Sequence, residues 1–271
     1  MSQTVFRELF LLPFLAGLGP AIFLPWIGNY LRLREEWLAT LGLAHLSTAG
    51  ALLAQVWHWP GVLGALLLSI LGVTGKQIGG GNSNSAYALM LLAGWSSSLL
   101  LAANLALGDA LTQALIDGQL YFAGQADLLV NGSLLVLVAF FFQRFGAALL
   151  RHRWFPSQTK ANRQQSWRCL VLFDLFVAAA IAAATSSLGL MAGFALIFVP
   201  SWVAFRLAGS WRQSGWLASG LGVGSYLLAF VLALLLDQPF GPLLAVVLLV
   251  LALLTVVWQK CHWAKSLPPN V

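Results

Sequence analysis

The sequence predicts an all-α protein that crosses a membrane about nine times, and three observations carry that expectation. Hydrophobic residues make up 60% of the 271 positions and charged residues only 8%, against about 25% charged in a soluble domain. Mean hydropathy is +0.85. No charge interrupts the stretch between Asp174 and Arg206, or the stretch between Arg212 and Asp237, and about 20 apolar residues suffice for one crossing. Together these exclude a soluble enzyme, a nucleic-acid binder and a disordered scaffold. The net charge of +6 and the pI near 9.8 do not argue for nucleic acid, because the basic residues sit in short connections between apolar runs. There they act as topology signals.

Apolar runs bounded by charge, Pro or Gly give nine spans, near 9–31, 38–55, 60–75, 86–107, 128–143, 169–185, 187–206, 215–236 and 240–258. The connection 144–168 holds Arg144, Arg151, Arg153, Lys160, Arg163 and Arg168 and no acid, which places it in the cytoplasm. Alternation from that connection puts Arg32, Arg34, Lys76, Arg206, Arg212, Lys260 and Lys265 on the same side, and only Arg7 on the other. The acidic Asp109, Asp117, Asp127 and Asp237 fall outside. The expected layout is therefore an outside N-terminus and a cytoplasmic C-terminus. Between 169 and 206 only Thr185-Ser186-Ser187 separates two apolar runs, so a tight hairpin and one broken helix both remain open.

Arg7 is followed at once by Glu8, and the apolar run continues to Leu31 without a small-x-small pattern, so the start does not read as a cleavable export signal. Cys169 and Cys261, the two cysteines, lie at span ends, which argues against a structural disulfide or a cysteine metal cluster. Pro13, Pro20 and Pro25 all fall in the first span and predict a kink or partial unwinding there. The run Leu217-Ala218-Ser219-Gly220-Leu221-Gly222-Val223-Gly224-Ser225 predicts close helix contact.

Enzyme signatures are missing. Gly75-Lys76 is followed by Gln77, and Ile70 occupies the position of the first Walker A glycine; the Gly79-Gly80-Gly81 loop is not a phosphate cradle. Gly94-Trp95-Ser96-Ser97-Ser98 supplies serines, but His45 is the one histidine inside a span, too little for an intramembrane serine protease. No His-Glu-x-x-His occurs, and no pair of acids shares a span. A multi-span chain without its own energy source has the profile of a transport permease.

The order of residues then resembles a family. Gly28, Leu31, Arg34, Leu43, Ala44, His45 and Gly50 match without a gap a run of the ABC-3 permeases, the membrane subunits of zinc and manganese ABC importers. Leu188-Gly189-Leu190-Met191 through Ala195-Leu196-Ile197-Phe198-Val199-Pro200 and Ala204 is similar to a second family block, and Asp237-Gln238-Pro239-Phe240-Gly241 to a third. Gly50, Pro200 and Gly241 are the structural landmarks of these blocks. The chain departs from the pattern at Leu41, where the family has an acid four residues before the histidine, at Glu35, at Ala49 and over Asn82-Ser83-Asn84-Ser85.

The resemblance implies a single transmembrane permease domain over 1–271 in a bacterial cytoplasmic (inner) membrane. It implies a second permease copy as homodimer partner, separate ABC ATPases that use the ATP, an extracytoplasmic substrate-binding protein, and no cofactor bound by this chain. In the family the acid and the histidine one turn apart are associated with the metal's route. Carboxylate and imidazole at i and i+4 share a helix face and can hold one divalent ion; Leu41 leaves the imidazole alone. His45 is the expected metal and pathway residue, since a polar side chain inside a span is a functional candidate by default. A hydrogen bond to a neighbouring helix is its structural alternative. Asp174 is the second pathway candidate, with helix capping or pairing to Arg168 as its alternative. The resemblance also places a short coupling helix for the ATPase at Ser157, Gln158, Thr159, Lys160, Ala161, Asn162 and Arg163; the basic connection around it also suits anionic lipid. Trp57-His58-Trp59 reads as an interfacial aromatic belt. A permease for a chelated metal or small organic nutrient, and a non-transporting assembly or sensor subunit, stay open as alternatives.

Overall fold

The structure is a computed structural model and describes residues 10–78, 84–105, 115, 118, 120–155, 157 and 166–266. Among these residues there are nine α-helices and no strand: α1 (Leu12–Arg34), α2 (Leu38–Val56), α3 (Gly61–Ile78), α4 (Asn84–Asn104), α5 (Gln125–Trp154), α6 (Ser166–Ser187), α7 (Leu190–Leu207), α8 (Trp211–Leu236) and α9 (Phe240–Ser266). One 3-10 turn, Leu120–Phe122, precedes α5. Helices are the economical solution for such a composition, because hydrocarbon offers the backbone no hydrogen-bond partner. Eight of the helices are long and apolar enough to cross a membrane, and α3 offers a shorter apolar stretch, Gly61–Gln77.

Contacts between helix ends fix one pole of the bundle. Arg34 at the end of α1 meets Asp174 near the start of α6, Lys76 at the end of α3 meets Tyr87 near the start of α4, and Arg153 at the end of α5 meets Glu35. Trp154 meets Trp211 at the start of α8, and Arg206 at the end of α7 bonds to Gln259 of α9. The chain thus alternates direction from helix to helix, and this pole collects Lys76 and the arginines among the described residues.

α1 is central and packs against α5, α7 and α8; α2, α3 and α4 pack on one another and join the rest largely through α6. Close approach demands glycine at two of these seams. A methyl on Gly28 would stand 2.0 Å from the carbonyl oxygen of Ile197 on α7, and one on Gly50 would stand 2.1 Å from that of Gly64 on α3. In the small-residue run of α8, Ser219 Oγ donates to Ile22 O at 3.0 Å and Gly222 lies against Ala21 O and Pro25. Gly220 and Gly224 of the same run face open space.

Two expectations need correction, and one open question closes. α1 is continuous from Leu12 to Arg34, with Pro20 and Pro25 inside it, so the partial unwinding does not occur. Pro20 has no N–H for Ala16 O; Asn131 Nδ2 of α5 donates to that oxygen instead, at 3.0 Å. The open question at 169–206 resolves into two helices, because Gly189 adopts φ 91 and turns the chain so that Gly193 faces Ala184. The connection expected at 144–168 begins in helix, since α5 continues to Trp154. Gly146 and Leu149 are buried on its last turns, while Arg144, Arg151 and Arg153 stay exposed.

Candidate functional site

The pole that collects the basic residues holds a buried polar cluster built from five parts of the chain. α1 ends where Glu35 adopts a left-handed conformation, φ 61. The Glu35 N–H then donates to Arg32 O at 3.0 Å and the Glu36 N–H to Leu31 O at 3.1 Å, a C-terminal turn that satisfies otherwise orphaned carbonyls. This turn sends the Glu36 side chain inward, where the residue is 3% exposed.

Around it the charges interlock. Arg34 donates to Glu36 Oε1 at 3.0 Å and to Asp174 Oδ1 at 2.7 Å. Lys76 Nζ lies 3.3 Å from Glu36 Oε1 and 3.0 Å from Asp174 Oδ2, and it also donates to the Tyr87 hydroxyl. That hydroxyl donates in turn to Glu36 Oε2 at 3.2 Å, and Gln77 Nε2 donates to Asp174 Oδ2 at 3.1 Å. Phe173 lies under the Arg34 guanidinium at 5.2 Å. The two cations balance the two carboxylates. Taking such charges out of water is expensive, so each depends on its partners: deleting one strands a buried charge at a cost of about 3–5 kcal/mol. The cluster ties α1, α3, α4 and α6 together at one end of the bundle.

Asp174 is therefore not a cap. It lies eight residues into α6 and both its oxygens are taken by Arg34, Lys76 and Gln77. His45 sits elsewhere. It lies seven residues beyond the start of α2, roughly 10 Å along the axis at 1.5 Å per residue. It is half-buried, with Gly94 of α4 packed on its backbone. Its ring has no hydrogen-bond partner among the described residues, and no three His, Cys, Asp or Glu side chains converge there to hold a metal ion. The structure does not bring His45 and Asp174 into contact.

The three landmarks occupy structural positions. Gly50 forms the α2–α3 seam, Pro200 is buried within α7, and Gly241 is buried in the first turn of α9. Trp57 and Trp59 are exposed around His58 at the opposite end of α2. Of the coupling segment, Ser157 is exposed; Gln158, Thr159, Lys160, Ala161, Asn162 and Arg163 lie outside the described residues. Sequence reasoning passed over Glu36, Gln77 and Tyr87, and took Arg34 and Lys76 for topology signals. The available clue was a pair of carboxylates at the end of one span and a lysine at the end of another.

The sequence matches the model of the ABC 3 transport family over residues 7–259. No curated protein matches the chain. Among solved structures, one similar chain belongs to PsaBC from Streptococcus pneumoniae in complex with Fab, with TM-score 0.80 and 15% identity, covering 93% of each chain. Another belongs to an inward-facing metal-chelate type ABC transporter, with TM-score 0.76 and 16% identity, covering 94% of this chain and 88% of that one. The fold is shared with both, and the family match takes in nearly every helix described above: the chain belongs to the ABC 3 transport family.

Proposed function

We propose that this chain is the permease subunit of an ABC importer that carries a divalent metal ion, zinc or manganese. The observation that carries the proposal is the family match from residue 7 to residue 259, laid on a nine-helix bundle whose sequence has no nucleotide motif. Two copies line the pathway, separate ATPases consume the ATP and drive alternating access, and an extracytoplasmic binding protein delivers the ion. The pole rich in Arg and Lys is cytoplasmic by the positive-inside rule, which sets the N-terminus outside and the C-terminus inside a bacterial inner membrane. The segment 157–163 docks on the ATPase.

His45 and Asp174 have different parts in this proposal. An unpartnered imidazole is a metal ligand in waiting, and two of them, one per copy, make a soft and transient site suited to passage. Asp174, with its neighbours Arg34, Glu36 and Lys76, holds the cytoplasmic end of the helices closed until the ATPases move them.

A second substrate is favoured by specific observations. Leu41 takes the place of the acid that would share His45's face, and no metal-binding trio exists among the described residues. Both also suit a chelated metal or small organic nutrient, which brings its own ligands. Uptake of labelled zinc and manganese into proteoliposomes holding the chain with its ATPase separates the two. Metal uptake that falls in His45→Ala supports the metal route, and uptake unchanged by that substitution removes His45 from it. No uptake of either ion favours the second substrate. ATP hydrolysis indifferent to any delivered substrate would instead indicate an assembly or sensor subunit.

A further inference from the structure

We propose that the cleft between α1, α5 and α8 binds one anionic phospholipid, with its phosphate at Arg212 and its ester region against Asn29. The cleft has a volume of about 510 Å³, within the range of small-molecule sites, and neither the polar cluster nor the His45 level includes it. Asn29 forms part of its wall and is 1% exposed. Neither its amide nitrogen nor its amide oxygen has a hydrogen-bond partner among the described residues. Burying an amide unpaired is costly. Asn131 leaves its oxygen unpaired, as Tyr121 does its hydroxyl, but its amide nitrogen finds both Ala16 O and Ser187 Oγ; Asn29 is the amide with both ends unpaired among the described residues. Of these unpaired groups Asn29 is the one in the wall of the cleft, where a ligand entering it can supply the partner.

The rest of the cleft says what that partner is. Its walls are aromatic: Trp26 meets Trp216 edge-on at 5.2 Å and lies 6.4 Å from Phe142. Trp216 is 70% exposed, so the cleft opens sideways along the helices, toward acyl chains. Its mouth is polar and positive. Arg212 and Gln143 line it and are exposed, and Arg212 has no ion-pair partner among the described residues. Arg212 stands in the first turn of α8, where Ser210 Oγ accepts from Gln213 N–H at 3.3 Å. The positive end of that helix adds to the attraction for a phosphate. Tryptophans beside a basic pocket between membrane helices, at the pole rich in Arg, match the chemistry of an anionic head group with its acyl chains below.

The test is photolabelling of the full chain in bilayers of phosphatidylethanolamine containing a small fraction of diazirine-bearing phosphatidylglycerol, with labelled peptides mapped by mass spectrometry. Label concentrated on residues 135–143 and 211–216 relative to α9 is the expected result. Arg212→Ala, a change at an exposed position, should lower it about fivefold, as one cation near a membrane surface is worth. Asn29→Leu should lower it as well, and diazirine-bearing phosphatidylethanolamine should label the cleft less than its anionic counterpart. Labelling no higher than along α9 overturns the proposal, as does indifference to Arg212→Ala. Displacement of the label by inorganic phosphate alone would assign the cleft to a soluble anion and equally overturn the lipid.

Discussion

α1 carries two polar residues five positions apart, buried Asn29 and half-buried Arg34, and their surroundings could hardly differ more. Arg34 is enclosed by Glu36, Asp174 and a phenylalanine ring, and its cluster closes on itself with charges balanced. Asn29 is more deeply buried and has no hydrogen-bond partner among the described residues. A closed cluster is an adhesive between helices. The unpaired amide is where the proposed lipid finds its hydrogen bond. The same contrast separates Asp174, whose oxygens are all engaged, from His45, whose ring is not; burial alone would have ranked the first as the more interesting residue and missed the second.

The largest expected effect breaks the closed region. Lys76→Met leaves Glu36 and Asp174 buried with one cation between them and should destabilise the chain by about 3–5 kcal/mol, read from thermal unfolding of the purified protein. Adding Asp174→Leu removes one charge of each sign and leaves Arg34 paired with Glu36. The double variant should then lose well under the sum of the two single losses, as coupled neighbours do. Strict additivity would mean that these four charges are independent contacts.

The next prediction sharpens the contrast between filled and open packing. Gly28→Ala drives a methyl into the Ile197 carbonyl, and crowding of that kind costs about 1–3 kcal/mol. Gly220→Ala, which meets nothing within 4 Å, should instead gain roughly 0.5–1 kcal/mol from the helix backbone. Thermal shifts of opposite sign check the pair. A smaller loss, about 0.6 kcal/mol and at most ~1.7, is expected for Asn131→Leu, the scale of one hydrogen bond between membrane helices.

That Asn131 contact also shows where legibility ends. Nine helices were readable because hydrophobic length is a local property of the chain. The partial unwinding expected of α1 does not occur, and this was not readable because the group that repairs the Ala16 carbonyl lies 115 residues away. Glu36 and Lys76, 40 residues apart, each looked like one more charge marking the end of a span. Only the packing of α1, α3, α4 and α6 makes them one object. α5 overran its expected end because Arg144, Arg151 and Arg153 suit a helix surface as well as a loop, and nothing local decides between them. The mid-span position of His45 was legible for the converse reason: an ionisable residue within an apolar run stands out with no knowledge of its neighbours.

The smallest expected effect lies next to the largest. Glu35 follows Arg34 directly, yet its pair with Arg153, at 2.7 Å, has side chains 76% and 44% exposed. Water and salt screen such a pair, so Arg153→Ala should lose only about 0.2–1 kcal/mol, and less as ionic strength rises. Glu35 also holds a left-handed backbone at φ 61, which costs a non-glycine residue about 1–2 kcal/mol. Glu35→Gly forfeits the same ion pair but relieves that strain, so it should leave the unfolding temperature unchanged or higher than that of Arg153→Ala. A loss from Glu35→Gly as large as that from Lys76→Met would show that the exposed turn and the buried cluster act as one unit.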